Sequence, residues 1–389
     1  MGTVGAGILV HALRRKTMTE PAAQPSGAVW LTREGLNQLL GALRAQGYEV
    51  IGPRLGEGAI IYDRIQTIED LPAGWTEEQE AGRYRLRQRQ DDALFGYNLG
   101  PQSWKKFLHP PVLRLLAAEK NNGEFRILPP DGESPRYAFV GVRACELAAI
   151  AVQDRVLLGD QFVEPNYEAR RKELFIVAVQ CTRAAPTCFC SSMGTGPQVQ
   201  GGADLVLTEL SEGFVARAAS ARGAEVLAAI ERRPASAEEC RQAEEAVAAA
   251  AAQIVRRLDT RDLVRRLYEA CESPHWDDVA RRCLACANCT MVCPTCFCTT
   301  VEDTSTVTGD RAERWRKWDS CFTESFSYIH GGSVRTSVRS RYRQWLTHKL
   351  ASWVDQFDMF GCVGCGRCIT WCPAGIDLTE EVKKLLAPV

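Results

Sequence analysis

The first 144 residues contain no cysteine, and no apolar run anywhere in the chain approaches the roughly 18–20 residues that span a bilayer. An excess of charge of one sign is missing too. Lysine and arginine number 47 against 48 acidic residues, and the net charge of −1 argues against nucleic acid or an anionic membrane as the main partner. There is no Walker motif and no strand–GxGxxG–helix unit; Gly194-Thr195-Gly196 is too short a glycine signal to count. The opening MGTVGAGILVHALRRK carries its basic residues after the apolar stretch, the reverse of a secretory signal. Residues 1–25 therefore read as a tail, with Met18 a candidate start.

What is present is cysteine. Seventeen occur in 389 residues, and eleven of them fall between Cys283 and Cys372. A secreted disulfide scaffold would be small, with cysteines spread throughout. Clustering without an export signal points instead to thiolates holding metal in a reducing cytoplasm. The length allows two domains, and 24% charged with 46% apolar residues is ordinary for a soluble globular chain.

The pattern predicts an α+β, multi-domain protein. Residues 26–233 read as an α/β domain: LTREGLNQLLGALRAQG is a helix opened by Thr32, and YEVIG, AIIYDRI, YAFVGV, LFIVAVQ, DLVLTEL and GFVARAA are strands. ELAAIAVQDRVLL and AEVLAAIERR read as helices, the first joining YAFVGV to LFIVAVQ in a parallel crossover unit. Residues 234–282 form a helical connector. Ser236 and Glu239 make a capping box, the helical signal runs to about Cys271, and Ser273-Pro274 opens another helix. Residues 283–389 form a helical 2[4Fe–4S] dicluster, ferredoxin-like domain, with helix expected at RAERWRKW and VRTSVRSRYRQWLTHKLASWV.

Two runs carry the chemistry: Cys283-x2-Cys286-x2-Cys289-x3-Cys293-Pro294 and Cys362-x2-Cys365-x2-Cys368-x3-Cys372-Pro373. In the bacterial ferredoxin spacing, three close cysteines hold one cubane and the fourth ligates the other. One cluster would take Cys283, Cys286, Cys289 and Cys372; the second would take Cys362, Cys365, Cys368 and Cys293. Zinc is the alternative, but a zinc ribbon needs neither the third cysteine nor the proline. Trp315, Trp318, Phe322, Tyr342, Trp345 and Trp353 are candidate core residues over the clusters.

Upstream, Cys145 and Cys181 each follow a strand, and Cys188 and Cys190 lie just beyond in the first of two PTCFC copies. Parallel neighbouring strands would bring all four to one carboxyl edge, where open sheets place ligands. They suit a third [4Fe–4S] cluster, against the alternative of inert buried thiols. Five cysteines remain. Cys240 and Cys271 read as core; Cys296 and Cys298, in the second PTCFC, and Cys321 lack a fourth partner unless His330 or a remote residue supplies it. The second copy therefore reads as packing, and three cubanes imply about twelve irons.

The stretch CLACANCTMVCPTCFCTTVEDT, then RWRKWDSCF and GCVGCGRCITWCPAGIDL, with upstream GVRACEL and QCTRAAPTCFCSSMGTGP, resembles one family. It is similar to the iron–sulfur β subunit of cytoplasmic NAD(P)-linked [NiFe] hydrogenases (sulfhydrogenases) and to its relative, the A subunit of anaerobic sulfite reductase, from about Ala28 to the end. The resemblance implies an electron-transfer subunit between a flavin/NAD(P)H-binding subunit and a hydrogenase or sulfite reductase catalytic subunit. The chain itself offers no flavin, nicotinamide or nickel site. The rival readings are a reductase whose upstream cluster performs chemistry and a metal-stabilised scaffold. Arg335, Arg339 and Arg343 form a basic stripe that suits solvent or a partner subunit better than nucleic acid.

Overall fold

The structure, a computed structural model, describes residues 27–121, 123–129, 134–159 and 161–387; the expected tail at 1–25 lies outside the described residues. The architecture is α+β. Its largest sheet has eight strands in the order Arg233–Pro234, Val29–Leu31, Gly213–Ala218, Leu205–Leu210, Phe175–Val179, Tyr137–Val142, Glu49–Gly56 and Ala59–Arg64. The four strands from Leu205–Leu210 to Glu49–Gly56 run parallel, and antiparallel strands close both edges.

Continuous apolar runs form the parallel centre because both of its faces are covered. Ala138 and Val140 pack into one core with Phe175 and Val177, while Phe139, Ile176 and Ala178 face the other. The first core is closed by helix Arg33–Ala45, which buries Leu36, Leu39, Leu40 and Leu43, the spacing of a single stripe. Thr32 opens that helix by accepting from the Gly35 amide at 3.1 Å. The second core receives Leu147 and Ile150 from helix Ala144–Leu157. Each fully buried leucine or isoleucine contributes roughly 1.5–3 kcal/mol.

A second, four-stranded antiparallel sheet crosses the boundary expected between domains. Its strands are Thr299–Ser305, Arg311–Trp318, Val112–Asn121 and Glu124–Ile127, so residues between the two cysteine motifs pair with residues near the N-terminus. RAERWRKW is thus a strand, contrary to its helical reading. Its charges find partners across strands rather than a helical turn away: Arg314 with Asp303 at 2.7 Å, Lys317 with Glu302 at 2.5 Å, and Glu313 with Arg114 at 3.2 Å.

The connector begins as expected. Helix Ala237–Gln253 has its capping box, with the Glu239 amide donating to Ser236 Oγ (3.2 Å) and the Ser236 amide to the Glu239 carboxylate (2.8 Å). The helical signal does not run through to Cys271. After Gln253 the chain turns inward to bury Ile254 and Leu258, then re-enters helix at Leu263–Glu269 and His275–Arg282. Near the C-terminus, helix Val338–Thr347 passes through a π-helical turn, His348–Ser352, into helix Trp353–Phe357. No helix among the described residues is long and apolar enough to cross a membrane.

One buried ion pair joins the sheet to the C-terminal motif. Arg367 donates to Glu146 at 2.6 Å, each side chain only 1% exposed. Glu146 also accepts from Tyr62 Oη (2.9 Å) and Trp104 Nε1 (3.0 Å), and Arg367 donates to the carbonyls of Gly100 (3.0 Å) and Gln102 (2.8 Å). Removing one partner strands the other charge in a buried site. Arg367→Met should therefore cost about 3–5 kcal/mol in anaerobic denaturant unfolding. A loss below about 1 kcal/mol, the range of an exposed pair, would show that the pair does not lock the two parts together.

Candidate metal centres

The two cysteine runs fold alike. In Cys283–Cys289 the residues before and after the middle cysteine, Ala285 and Ala287, have φ of 50° and 66°; their counterparts in Cys362–Cys368, Gly364 and Gly366, have 65° and 77°. These left-handed residues curl each loop so that its three sulfurs face one side. Amides then point at sulfur: Ala285 N to Cys283 (3.4 Å), Gly364 N to Cys362 (3.5 Å) and Ile376 N to Cys372 (3.3 Å). Each loop runs into a one-turn helix, Asn288–Met291 or Arg367–Thr370, and the two pack together.

Cys283, Cys286, Cys289 and Cys372, together with Cys368 of the other run, line one apolar cavity walled by Phe322, Tyr342 and Trp345. Cys362, Cys365 and Cys368 each lie within electrostatic reach of Cys293. The fourth cysteine of each run thus stands with the other run's three. Cys145, Cys181, Cys188 and Cys190 also converge. The strands preceding Cys145 and Cys181 are parallel neighbours, so both residues leave the same sheet edge, and Cys190 and Cys181 face Cys145 and Cys188.

The sets are contiguous. Cys289 feels Cys293 and Cys368, which join the first set to the second, and Cys365 of the second acts on Cys145, Cys188 and Cys190 of the third.

The donors suit a polynuclear cation. Burial pushes the thiols of Cys145, Cys181, Cys188, Cys289, Cys365 and Cys368 up, and those of Cys190 and Cys362 to about 12. Such groups become thiolates where a bound metal cation supplies compensating positive charge. Spacing does not favour a single zinc. Four thiolates on one zinc at about 2.3 Å lie only about 3.8 Å from one another. Among the described residues, the only three-donor group within 4.8 Å is His275, Asp278 and Glu381, and Arg282 already bridges those two carboxylates at 3.3 and 2.6 Å.

The third set is seated on the second by backbone contact. The Phe189 amide donates to Gly364 O (2.9 Å) and Thr195 Oγ1 to Val363 O (2.7 Å). A β-carbon on Gly364 would stand 2.6 Å from the Cys190 nitrogen, and one on Gly366 would stand 2.4 Å from the Thr187 carbonyl oxygen. Glycine is required here on both counts, positive φ and lack of room. Ala285 and Ala287 hold the same turns beside the more open set, where a methyl group is tolerated.

Several residues that carry this arrangement have no motif in the sequence. Lys349, 4% exposed, donates to Cys293 Sγ (3.1 Å), Thr295 Oγ1 (3.0 Å) and Gly361 O (3.2 Å). Against the cost of burial, Cys293, Cys296 and Cys362 hold its ammonium well above the usual lysine range. Other expectations shift. Cys240 packs against the small core of Trp30, Val215 and Ala243, but Cys271 is exposed rather than core. Of the basic stripe, Arg339 and Arg343 are tied to Glu272 at 3.2 and 2.8 Å, and Arg335 lies before the helix.

A mixed sheet with three converging sets of four cysteines defines an iron–sulfur electron-transfer protein, and residues 282–376 match the family model described as a 4Fe–4S dicluster domain. The chain is 34% identical over 286 residues to the sulfhydrogenase 2 subunit beta of Pyrococcus furiosus, a span of 72% of this chain and 82% of that protein. It belongs to the sulfhydrogenase β-subunit family. No solved structure matches it.

The glycine contacts make a paired prediction. Gly366→Ala should destabilise the protein by more than about 1 kcal/mol and lower the iron bound, because the methyl meets backbone. Ala287→Gly should change stability by no more than about 1 kcal/mol, since relief of roughly 1–2 kcal/mol of left-handed strain offsets glycine's entropy. Thermal unfolding and iron analysis of the two variants check this; equal effects would contradict it.

Proposed function

We propose that this chain is the iron–sulfur subunit that relays electrons between a flavin subunit using NAD(P)H and the catalytic subunit of a [NiFe] hydrogenase. In this reading Cys283, Cys286, Cys289 and Cys372 hold one [4Fe–4S] cluster, Cys293, Cys362, Cys365 and Cys368 a second, and Cys145, Cys181, Cys188 and Cys190 a third. The clusters supply one-electron chemistry, their potentials set by burial and hydrogen bonds to sulfur. The observation that carries the reading is contiguity: the Cys293 set touches the other two, from Cys289 on one side to Cys190 on the other.

The chain's own residues do the rest. Phe322, Tyr342 and Trp345 wall one side of the first set with apolar rings, and the Lys349 ammonium at 3.1 Å from Cys293 favours the more negative, reduced state of the second. Arg143, 3% exposed, lies against Cys181 and is fixed by the carbonyls of Gln180 (2.9 Å) and Phe95 (2.7 Å). Relay is favoured over a reductase with a catalytic upstream centre because that set offers four thiols, enough to fill every iron position of a cubane. Free thiols need a reducing compartment, for which we propose the cytoplasm. The relative's name, a sulfhydrogenase subunit, favours a hydrogenase complex over a sulfite reductase.

The isolated chain, purified anaerobically, should contain at least about twelve irons and accept electrons from a strong artificial reductant. It should show no NAD(P)H oxidation, hydrogen uptake or sulfite reduction until partner subunits are added. With the flavin subunit, NAD(P)H should reduce it. NAD(P)H oxidation by the isolated chain, free of flavoprotein, would overturn the proposal.

A further inference from the structure

The second PTCFC, read from sequence as packing, occupies a more specific place than that. Cys298 ends it immediately before strand Thr299–Ser305, and Cys321 follows strand Arg311–Trp318. The two strands pair antiparallel with Thr299 opposite Trp318, and the Asp319 amide donates to the Cys298 carbonyl at 2.9 Å. Hairpin register thus brings Cys321 against Cys298. Both line one chamber with Cys296, His348, Trp345 and Trp353. His330 has no part in it and lies exposed at the turn of a separate small hairpin.

Two further observations ask for an anion in this chamber. The indole N–H groups of Trp345 and Trp353, side chains 4% and 2% exposed, are buried without a hydrogen-bond partner. Stranded donors of this kind cost about 1–3 kcal/mol each. Two lysines are also buried at its edge. Lys349, 4% exposed, bonds only to Cys293 Sγ, Thr295 Oγ1 and Gly361 O; Lys105, 5% exposed, donates to the Cys296 carbonyl and stands 3.8 Å over the Trp318 ring. Neither has a carboxylate partner among the described residues. A buried cation is retained where an anion compensates it.

We propose that Cys296, Cys298 and Cys321, with His348 as fourth donor, hold a fourth iron–sulfur cluster. It would lie beside the centre of Cys293, whose thiol already contacts Cys296. Three thiolates make the site anionic, which answers Lys105 and adds to the compensation Lys349 already receives from Cys293, and cluster sulfides accept hydrogen bonds of the kind the two indoles can donate. No three of these donors lie within 4.8 Å of one another among the described residues, as one zinc would require, although Cys298 and Cys321 are in hydrogen-bond contact. The inference rests on reading the chain as an iron–sulfur protein but is separable from it by count.

The test is iron and acid-labile sulfide analysis, with EPR, on the full chain purified anaerobically. The native protein should hold about sixteen irons, and Cys298→Ser/Cys321→Ser should lose about four irons and four sulfides while the other signals persist. His348→Cys, which keeps a donor, should retain all the iron and shift the spectrum of one centre only. About twelve irons in both native protein and double variant would overturn the fourth site and leave the proposed function standing. One equivalent of zinc, or a Cys298–Cys321 disulfide, lost in the double variant would likewise overturn it. An unchanged spectrum in His348→Cys would remove His348 from the site. Fewer than about eight irons in the native chain would instead count against the relay itself.

Discussion

The segment Thr187–Cys190 lies so close to the loop Cys362–Cys368 that no β-carbon fits at Gly364 or Gly366. That approach determines most of what surrounds it. It seats the upstream thiols beside the C-terminal ones, and it requires glycine where the companion loop accepts alanine. Thr370 Oγ1 stands 3.0 Å from Thr187 Oγ1 and donates to Gln79 at 2.9 Å, so the contact continues into the N-terminal region as hydrogen bonds. Arg367, one residue past Gly366, carries it further to Glu146, the neighbour of Cys145. Rigid placement matters for a protein of this kind, because electron transfer weakens steeply as centres separate.

A second constraint is charge. Gathering buried thiols in adjacent sets would be prohibitive for bare thiolates, and burial accordingly holds most of them protonated in the absence of metal. The compensation is of two kinds. Iron would supply most of it, and fixed protein cations supply the rest: Lys349 beside Cys293, Arg143 beside Cys181 and Arg367 beside Cys365. Lys349 and Arg367 lie beside the residues that join the sets, and Arg143 lies within the upstream set. The same residues that assemble the fold are therefore placed to tune the centres.

Much of this could be read in the sequence, for reasons that are local. A two-residue gap between cysteines specifies a tight loop by itself, and a strand followed by cysteine specifies a sheet edge once the strands are known to be parallel. Thr32 and the Ser236–Glu239 box opened their helices as expected because caps act over a single turn. What could not be read depends on partners far away in the chain. Arg311–Trp318 has charges spaced like a helix, yet its partners Asp303 and Glu302 lie across a hairpin. Glu146 and Arg367 are 221 residues apart, and nothing near either announces a buried pair. Cys321 could be grouped with Cys296 and Cys298 only as a candidate, because hairpin register is what brings it to Cys298. Lys349 sits in a polar helical pattern that gives no sign of its burial.

The central claim is that the thiol sets hold neighbouring centres within one rigid body. Low-temperature EPR of the fully reduced chain, purified anaerobically, tests it most directly. Centres as near as these sets imply should give broadened, mutually interacting signals that sharpen when only part of the population is reduced. Narrow signals that add as independent spins at every level of reduction would contradict the account.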